Sequence, residues 1–181
     1  ALRRRASLLV LALGTLPVPL DTSVNIALPS FATAFGLDIV SVKWIVIFYV
    51  LTYSSLMLVF GRLGDVTSYA RVFQAGLVLS VIGLLACGLA RDFPMLLAGR
   101  VVQGIGSALV LACGPALATS PFPESERTRL LGVYAAVMAL GTAAGPLLGG
   151  LALEWIGWQG VFLVRGPLAL AALLLSPRPP A

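Results

Sequence analysis

Three ionisable residues lie inside long apolar stretches of this chain: Asp21, Arg100 and Arg165. A charge near the centre of a bilayer costs at least about 2.5–3.5 kcal/mol, so each of them needs a water-filled cavity or a partner of opposite charge. Because the chain has no histidine, any proton chemistry has to use carboxylates. Asp21 is therefore a candidate for binding a proton and a cationic substrate in turn. The alternative is a fixed ion pair with Arg100 or Arg165.

The two arginines each leave two interpretations open. Arg100 could couple to a titrating carboxylate or serve only in packing. Arg165 could face an aqueous cavity or reach a lipid headgroup at the membrane surface.

No other pattern in the chain indicates metal, cofactor or catalytic chemistry. Cys87 and Cys113 both fall in apolar runs, where small packing residues are expected, and they form neither a disulfide framework nor a metal-binding spacing. Residues 103–106 lack the third glycine and the preceding strand of a dinucleotide-binding loop, and no phosphate-binding lysine motif is present. A lone aspartate gives an enzyme little support. We therefore expect no cofactor, no metal, and an ion gradient rather than ATP as the energy source.

The composition indicates a protein that lies almost wholly in a membrane. Apolar residues make up 59% of the 181 residues, charged residues make up 10%, and the mean hydropathy is +1.02. A soluble domain carries about 25% charged residues, so little of this chain is left for a separate aqueous domain. The net charge of +5 comes from cations between the apolar runs rather than from one basic patch. It therefore indicates membrane topology and not nucleic-acid binding.

The apolar runs predict an all-α integral membrane protein, because a backbone in lipid must satisfy its hydrogen bonds within each segment. Residues 1–181 form one predicted domain, a single bundle of six transmembrane helices. These helices are predicted over about residues 7–35, 42–61, 72–90, 94–119, 129–153 and 158–175. Pro17 and Pro19 predict an irregular backbone in the first helix, close to Asp21.

The cations between the helices predict the orientation of the bundle. Arginines are found at both ends of the chain and in the second-to-third and fourth-to-fifth connections: Arg3, Arg4, Arg5, Arg62, Arg71, Arg127, Arg129 and Arg178. The opposite side has only Lys43 and Arg91, so the positive-inside rule places both termini in the cytoplasm. Trp44, Trp155 and Trp158 fall near the outer ends, where interfacial tryptophans are expected. The expected location is a bacterial inner membrane.

The fifth predicted helix has an unusual set of small residues and a proline. Gly141, Gly145 and Gly149 are spaced by four, so they share one helix face and let another backbone approach closely. Pro146 removes one helical hydrogen bond and tends to kink the helix, and Gly150 adds a further small residue. A smooth, bendable helix within a membrane indicates a moving part, and hence a transporter.

Four sequence motifs follow one another along the predicted helices. They occupy residues 20–29 on the first helix, 61–65 after the second, 100–108 on the fourth and 141–150 on the fifth. In this order they resemble the N-terminal six-helix half of a major facilitator superfamily transporter. They are most similar to the fourteen-helix drug–proton antiporter branch, and the resemblance covers nearly the whole chain.

The resemblance implies a role for the residues in these motifs. In that family the first-helix aspartate is tied to proton coupling and the fourth-helix arginine to proton transfer, which would give these roles to Asp21 and Arg100. Gln103 and Gly104 match the rest of the fourth-helix motif. The fifth-helix motif would be the antiporter helix of the family.

The motif after the second helix departs from the family pattern. Gly61 and Asp65 match, but residues 66–70 lack the basic residues that the family usually has there, and only Arg71 remains. In the family this loop latches the inward-closed state against the other half of the transporter. Arg165 is a second departure, because the family commonly has asparagine in that segment.

The resemblance implies a 3+3 inverted-repeat bundle, with Asp21 and Arg100 on equivalent helices that face one cavity. The expected function is proton-coupled antiport that exports a drug or another small amphipathic molecule. Alternating access needs two bundles. The expected partners are therefore the lipid bilayer, protons and a small-molecule substrate, together with a second six-helix half, a second copy or a larger membrane complex. The alternative is a non-transporting half-facilitator subunit that stabilises a membrane complex, which the altered loop motif and Arg165 favour.

Overall fold

The computed structural model describes residues 2–176, and over this range every regular element is a helix. The elements are α1 (Leu2–Thr15), a 3₁₀ turn (Pro19–Thr22), α2 (Ser23–Ile26), α3 (Leu28–Phe35), α4 (Ile39–Val42), α5 (Trp44–Val66), α6 (Tyr69–Gly88), α7 (Phe93–Thr119), α8 (Glu124–Ile156), α9 (Gly160–Leu163) and α10 (Gly166–Leu175). The all-α prediction is thereby confirmed. Of the arginines used to predict the orientation, Arg178 and the side chains of Arg3, Arg4 and Arg5 lie outside the described part of the chain.

Four segments of the described chain are long and apolar enough to cross a membrane. They are Ile39–Val66, Tyr69–Gly88, Phe93–Thr119 and Glu124–Ile156. A fifth candidate is the first predicted helix, whose parts Val10–Ile26 and Leu28–Phe35 meet at 63°. The last apolar segment, Gly160–Leu175, is shorter. The protein is therefore an integral membrane protein, while the count of six spans stays a prediction.

The first predicted helix is broken where the sequence has its prolines. Pro17 and Pro19 have no backbone N–H, so an α-helix cannot continue through them with its full set of hydrogen bonds. In the structure α1 ends at Thr15, and the 3₁₀ turn then carries Asp21. The span predicted over residues 7–35 is thus broken at the place where its prolines predicted an irregular backbone. The break leaves Asp21 on a tight turn within the apolar part of the bundle.

Several helices extend beyond their predicted ends. The predicted connection over residues 62–71 is reduced to Thr67 and Ser68, because α5 reaches Val66 and α6 begins at Tyr69. Helix α8 likewise starts five residues before the predicted position 129, at Glu124. It ends at Ile156, and the next residue, Gly157, has a φ of 91° that favours a residue without a side chain. The motif at residues 61–65 therefore lies on a helix and not in a loop.

Helix α7 is the centre of the bundle. Within the most apolar 18-residue stretch of α7, 56% of the residues are buried. The corresponding stretch of the segment that includes α5 has 11% of its residues buried. Glycines let the neighbouring backbones approach α7 closely: a Cβ on Gly83 of α6 would meet the Gln103 backbone at 2.5 Å, and one on Gly104 would meet Thr52 of α5 at 2.8 Å. The outward surface of α5 is left for lipid or for another bundle.

We predict that Gly83→Ala destabilises the bundle by about 1–3 kcal/mol, the usual cost of overpacking a core. The added methyl group would meet backbone atoms of Gln103, which cannot turn aside as a flexible side chain could. The measurement is thermal unfolding of the purified protein in detergent. Gly132→Ala is the matched control, because Gly132 is an exposed glycine of α8 with open space around it. Equal unfolding temperatures for the two variants would contradict the close approach of α6 and α7.

Candidate functional site

Asp21 binds both of the arginines that the sequence placed inside apolar stretches. Its carboxylate, on the 3₁₀ turn, accepts hydrogen bonds from Arg100 Nη1 at 2.7 Å and Nη2 at 2.6 Å. Arg165 Nη1 donates to the same carboxylate at 2.5 Å. Asp21 is 9% exposed, Arg100 is fully buried and Arg165 is 3% exposed. An ion pair with one arginine was the predicted alternative to coupling, and the structure shows an ion pair with both.

Arg100 is fixed on every side by protein groups. Besides its two-point bond to Asp21, its Nε donates to the carbonyl of Ile45 at 2.9 Å, and its Nη1 donates to Gln103 Oε1 at 2.7 Å. Its guanidinium carbon lies 4.1 Å from the centre of the Tyr49 ring, within the range of a cation–π contact. A two-point bond to a carboxylate is the geometry in which arginine binds most strongly. Arg100 therefore fixes Asp21 against α5 and α7.

Arg165 lies at the break between α9 and α10. Its Nε donates to the carbonyl of Val161 at 3.0 Å, and its Nη1 donates to the carbonyl of Pro17 at 3.3 Å as well as to Asp21. The carbonyl of Pro17 is available because the first helix is broken there. Since the side chain is buried, the alternative of a lipid-facing Arg165 is wrong. The two broken helices instead meet at the carboxylate of Asp21.

Tyr49 and Ser107 complete the cluster, and neither had a role among the predicted site residues. Tyr49 stacks on Arg100, and its hydroxyl donates to Ser107 Oγ at 3.0 Å. The predicted motif residue Gln103 donates from Nε2 to Asp21 at 3.3 Å. Ser107 lies within the motif at residues 100–108, and it follows Arg100 by seven residues, about two helical turns, so both share a face of α7. Nothing in the apolar sequence of α5 singles out Tyr49.

The glycine face of α8 packs against the part of the chain that carries Asp21. A Cβ added to Gly141 would meet Pro19 at 2.7 Å, and one added to Gly149 would meet Ser23 at 2.6 Å. A Cβ on Gly145 would collide with Thr22 Oγ1, which already donates to the carbonyl of Thr142 at 3.0 Å. The three glycines thus allow the 3₁₀ turn and α2 to lie directly on the backbone of α8.

The other two residues of this motif face elsewhere. Gly150 has open space around it, and Pro146 is exposed while α8 continues through it as one helix. Only part of the fifth-helix motif therefore contributes to the contact with the Asp21 turn.

The residues of the loop motif are not part of this cluster. Asp65 is exposed near the end of α5 and accepts a hydrogen bond from the hydroxyl of Tyr69. It lies twenty residues beyond Ile45 on the same helix, which is about 30 Å at 1.5 Å per residue. Gly61 and Arg71 lie on α5 and α6 near this same end. The structure thus separates the loop motif from the buried charges.

A cavity opens beside the charge cluster. It has a volume of about 300 Å³ and is lined by apolar, aromatic and polar side chains, among them Asp21, Asn25, Tyr49, Tyr53, Met138 and Thr142. This is at the lower end of the volume range for small-molecule sites, which are mostly apolar with a few polar groups. The carboxylate of Asp21 is thus placed between two buried cations and a cavity large enough for a small molecule.

Comparisons with known proteins match the chain to one family. The model of the Major Facilitator Superfamily matches residues 11–181. The Riboflavin transporter RibZ of Clostridioides difficile is 31% identical over 93% of this chain. The Methylenomycin A resistance protein of Bacillus subtilis is 37% identical over 94% of it, and the Multidrug resistance protein Stp of Mycobacterium tuberculosis is 33% identical over 94%. The chain spans 32% to 37% of the length of these relatives.

We predict that Asp21→Asn destabilises the bundle by about 3–5 kcal/mol, because it leaves two buried guanidinium groups without a carboxylate. Arg165→Asn should cost less, since it leaves one balanced pair of Asp21 and Arg100. The measurement is unfolding of each purified variant in detergent by heat or by sodium dodecyl sulfate. A larger loss for Arg165→Asn than for Asp21→Asn would show that the two cations do not share this one carboxylate.

We also predict that Gly145→Ala destabilises the protein by about 1–3 kcal/mol through overpacking. The methyl group would collide with Thr22 and displace the turn that carries Asp21. Gly150→Ala is the matched control on the same helix, because a Cβ there meets nothing. Unfolding temperatures of the two variants test this packing, and an unchanged value for Gly145→Ala would exclude it.

Proposed function

Because this chain belongs to the major facilitator superfamily, a family of transporters and not of enzymes, we propose that it forms the N-terminal bundle of a proton-coupled antiporter. The observation that carries the proposal is a carboxylate held by two arginines at a helix break, beside a cavity of about 300 Å³. Intramembrane carboxylates of this kind mark proton and substrate pathways. The proposed assignments are proton coupling for Asp21 and Arg100, with Gln103 as the residue that orients both.

The proposed substrate is a small amphipathic molecule. The cavity offers the aromatic rings of Tyr49 and Tyr53 and the apolar side chain of Met138, with Asn25 and Thr142 as hydrogen-bonding groups. Such a mixture favours molecules with an apolar body and a few polar groups. One similar protein carries riboflavin in its name and another methylenomycin A, which fits this class. We propose export as the direction.

The proposed cycle starts from the arrangement described above. With two cations bound to it, the carboxylate of Asp21 is ionised, so a proton can be taken up only if those bonds open. A proton from outside would neutralise Asp21 and remove the counter-charge of Arg100 and Arg165. The 3₁₀ turn would then shift on the smooth glycine face of α8. Release of the proton inward would restore both ion pairs and reset the site.

We propose a bacterial inner membrane as the location, with both termini in the cytoplasm according to the positive-inside rule. Alternating access needs a second bundle. The outward surface of α5, which has exposed apolar residues such as Leu51, Leu58 and Val59, is available for that bundle and for lipid. The fourteen-helix drug–proton antiporter branch is the proposed assignment within the family.

A second candidate function is that of a non-transporting half-facilitator subunit. The observation that favours it is the contact between Asp65 and Tyr69. The aspartate of the loop motif is bound by a neighbour four residues away on the chain, in a segment that lacks the family's basic residues. A loop motif whose aspartate is bound within its own segment would hold the other half of the transporter less strongly than the family's usual loop motif does. The transport experiment distinguishes the two functions.

The experiment uses everted membrane vesicles from bacteria that express the complete reading frame, with riboflavin and ethidium as fluorescent probes. We expect an acidic lumen to drive accumulation of at least one probe and a protonophore to abolish it. Asp21→Asn should remove this dependence on the pH gradient. Asp38→Asn, at an exposed carboxylate outside the cluster, is the matched control and should keep it.

Coupling that survives Asp21→Asn would exclude the proposed role of this carboxylate. Absence of transport of both probes by the unaltered protein, in vesicles in which a riboflavin exporter is active, would favour the subunit. The amount of each variant in the membrane is measured in parallel, so that a loss of protein is not taken for a loss of coupling.

A further inference from the structure

The Asp21 cluster has more positive than negative charge. One carboxylate faces two guanidinium groups, so one positive charge is left over in the buried interior. All other carboxylates of the chain are exposed: Asp38, Asp65, Asp92, Glu124, Glu126 and Glu154. None of them neutralises the surplus. A buried charge without a counter-charge is strongly unfavourable, so the cluster calls for a further negative group.

Two hydrogen-bonding groups next to this surplus have no partner among the protein groups. Arg165 Nη2 and Ser23 Oγ are both buried, and neither makes a hydrogen bond within the described chain. Both residues are 3% exposed. Buried polar groups are bonded in the great majority of cases. Two unpaired groups in one place therefore indicate a small ligand that accepts hydrogen bonds.

Both residues line the same small cavity. It lies between the broken first helix, α8 and the last two helices, and its volume is about 30 Å³. A cavity needs about 10–15 Å³ of such volume to hold one water molecule, so this cavity is large enough for a particle of that size. The rest of the lining consists of apolar or small residues such as Leu20, Gly149 and Val161. The cavity therefore has room for a small particle, and the polar side chains of its lining are Ser23 and Arg165.

We propose that this cavity is a binding site for one monatomic anion, with chloride as the abundant example. Arg165 Nη2 and the hydroxyl of Ser23 would both donate to the anion, and its charge would cancel the surplus of the cluster. A water molecule would satisfy the two donors but would leave that surplus in place. The proposed site does not depend on transport, since the anion would balance the charges of Asp21, Arg100 and Arg165, which are buried in the folded bundle.

Gly149 contributes the space beside Ser23. A Cβ at this position would meet the Ser23 Cβ at 2.6 Å, so a side chain there would push Ser23 out of its place in the cavity wall. The glycine face of α8 thus serves two neighbouring contacts, the turn that carries Asp21 and the wall of the anion site.

The test is chloride binding to the purified 181-residue chain in detergent. The linewidth of the chloride NMR signal is followed while sodium chloride replaces sodium gluconate at constant ionic strength. We expect the chloride signal to broaden in a saturable way, and we expect added bromide to reverse the broadening by displacing chloride from the site. Ser23→Ala, which leaves all ion pairs of Asp21 in place, should weaken binding at least about tenfold, as for the loss of a hydrogen bond to a charged group. Arg165→Asn should abolish binding.

Matched controls are Ser54→Ala and Arg129→Asn, at exposed positions of α5 and α8, and both should bind chloride like the parent chain. If Arg165→Asn fails to fold, the Ser23→Ala titration decides alone. Broadening that does not saturate, or that Ser23→Ala and Arg165→Asn leave unchanged, would mean an adventitious ion only and overturn the proposal. A chloride signal with the same linewidth in the presence and absence of the protein would also overturn the proposal, and water would then be the ligand of the cavity.

Discussion

The buried ion pairs of Asp21 with Arg100 and Arg165 are the interaction on which the rest of this structure depends. Each of these charges would be costly alone in the apolar interior, and each is bound by another. The carboxylate lies on the broken first helix, and the two guanidinium groups reach it from α7 and from the junction of α9 and α10. The first, fourth and sixth predicted helices are thereby fastened at one point near the middle of the bundle.

The backbone around this point has the irregularities that such a cluster needs. The prolines of the first helix free the carbonyl of Pro17, which accepts from Arg165. The 3₁₀ turn aims Asp21 inward, and the glycines of α8 let that turn lie directly on a neighbouring backbone. Broken helices are tolerated in a membrane only where their freed polar groups find partners. In this bundle the carbonyl group freed at the break of the first helix accepts a hydrogen bond from the buried guanidinium group of Arg165.

The sequence predicted the helical class, the membrane location and the family, and it identified Asp21 and Arg100 as charges within apolar runs. These follow from local signals: apolar length, spacing of small residues and charges in apolar runs. An ion pair of Asp21 with Arg100 or Arg165 was one of the predicted alternatives, but the pairing of both arginines with one carboxylate could not be predicted, because it depends on how two distant helix breaks meet in space. The ends of α5 and α8 were missed for a different reason. Charged residues such as Arg62 and Glu124 suggested connections, yet they suit the ends of helices that project beyond the apolar layer.

The distance along the chain between the partners of Asp21 has a consequence for how the protein is made. Arg100 follows Asp21 by 79 residues and Arg165 by 144. At a synthesis rate of about 5–20 residues per second, the first partner appears about 4–16 s after Asp21 and the second about 7–29 s after it. During biogenesis the nascent first helix therefore holds an unpaired carboxylate at the insertion machinery. The carboxylate of Asp21 gains its first guanidinium partner only when α7 has been made, and its second only when the junction of α9 and α10 follows.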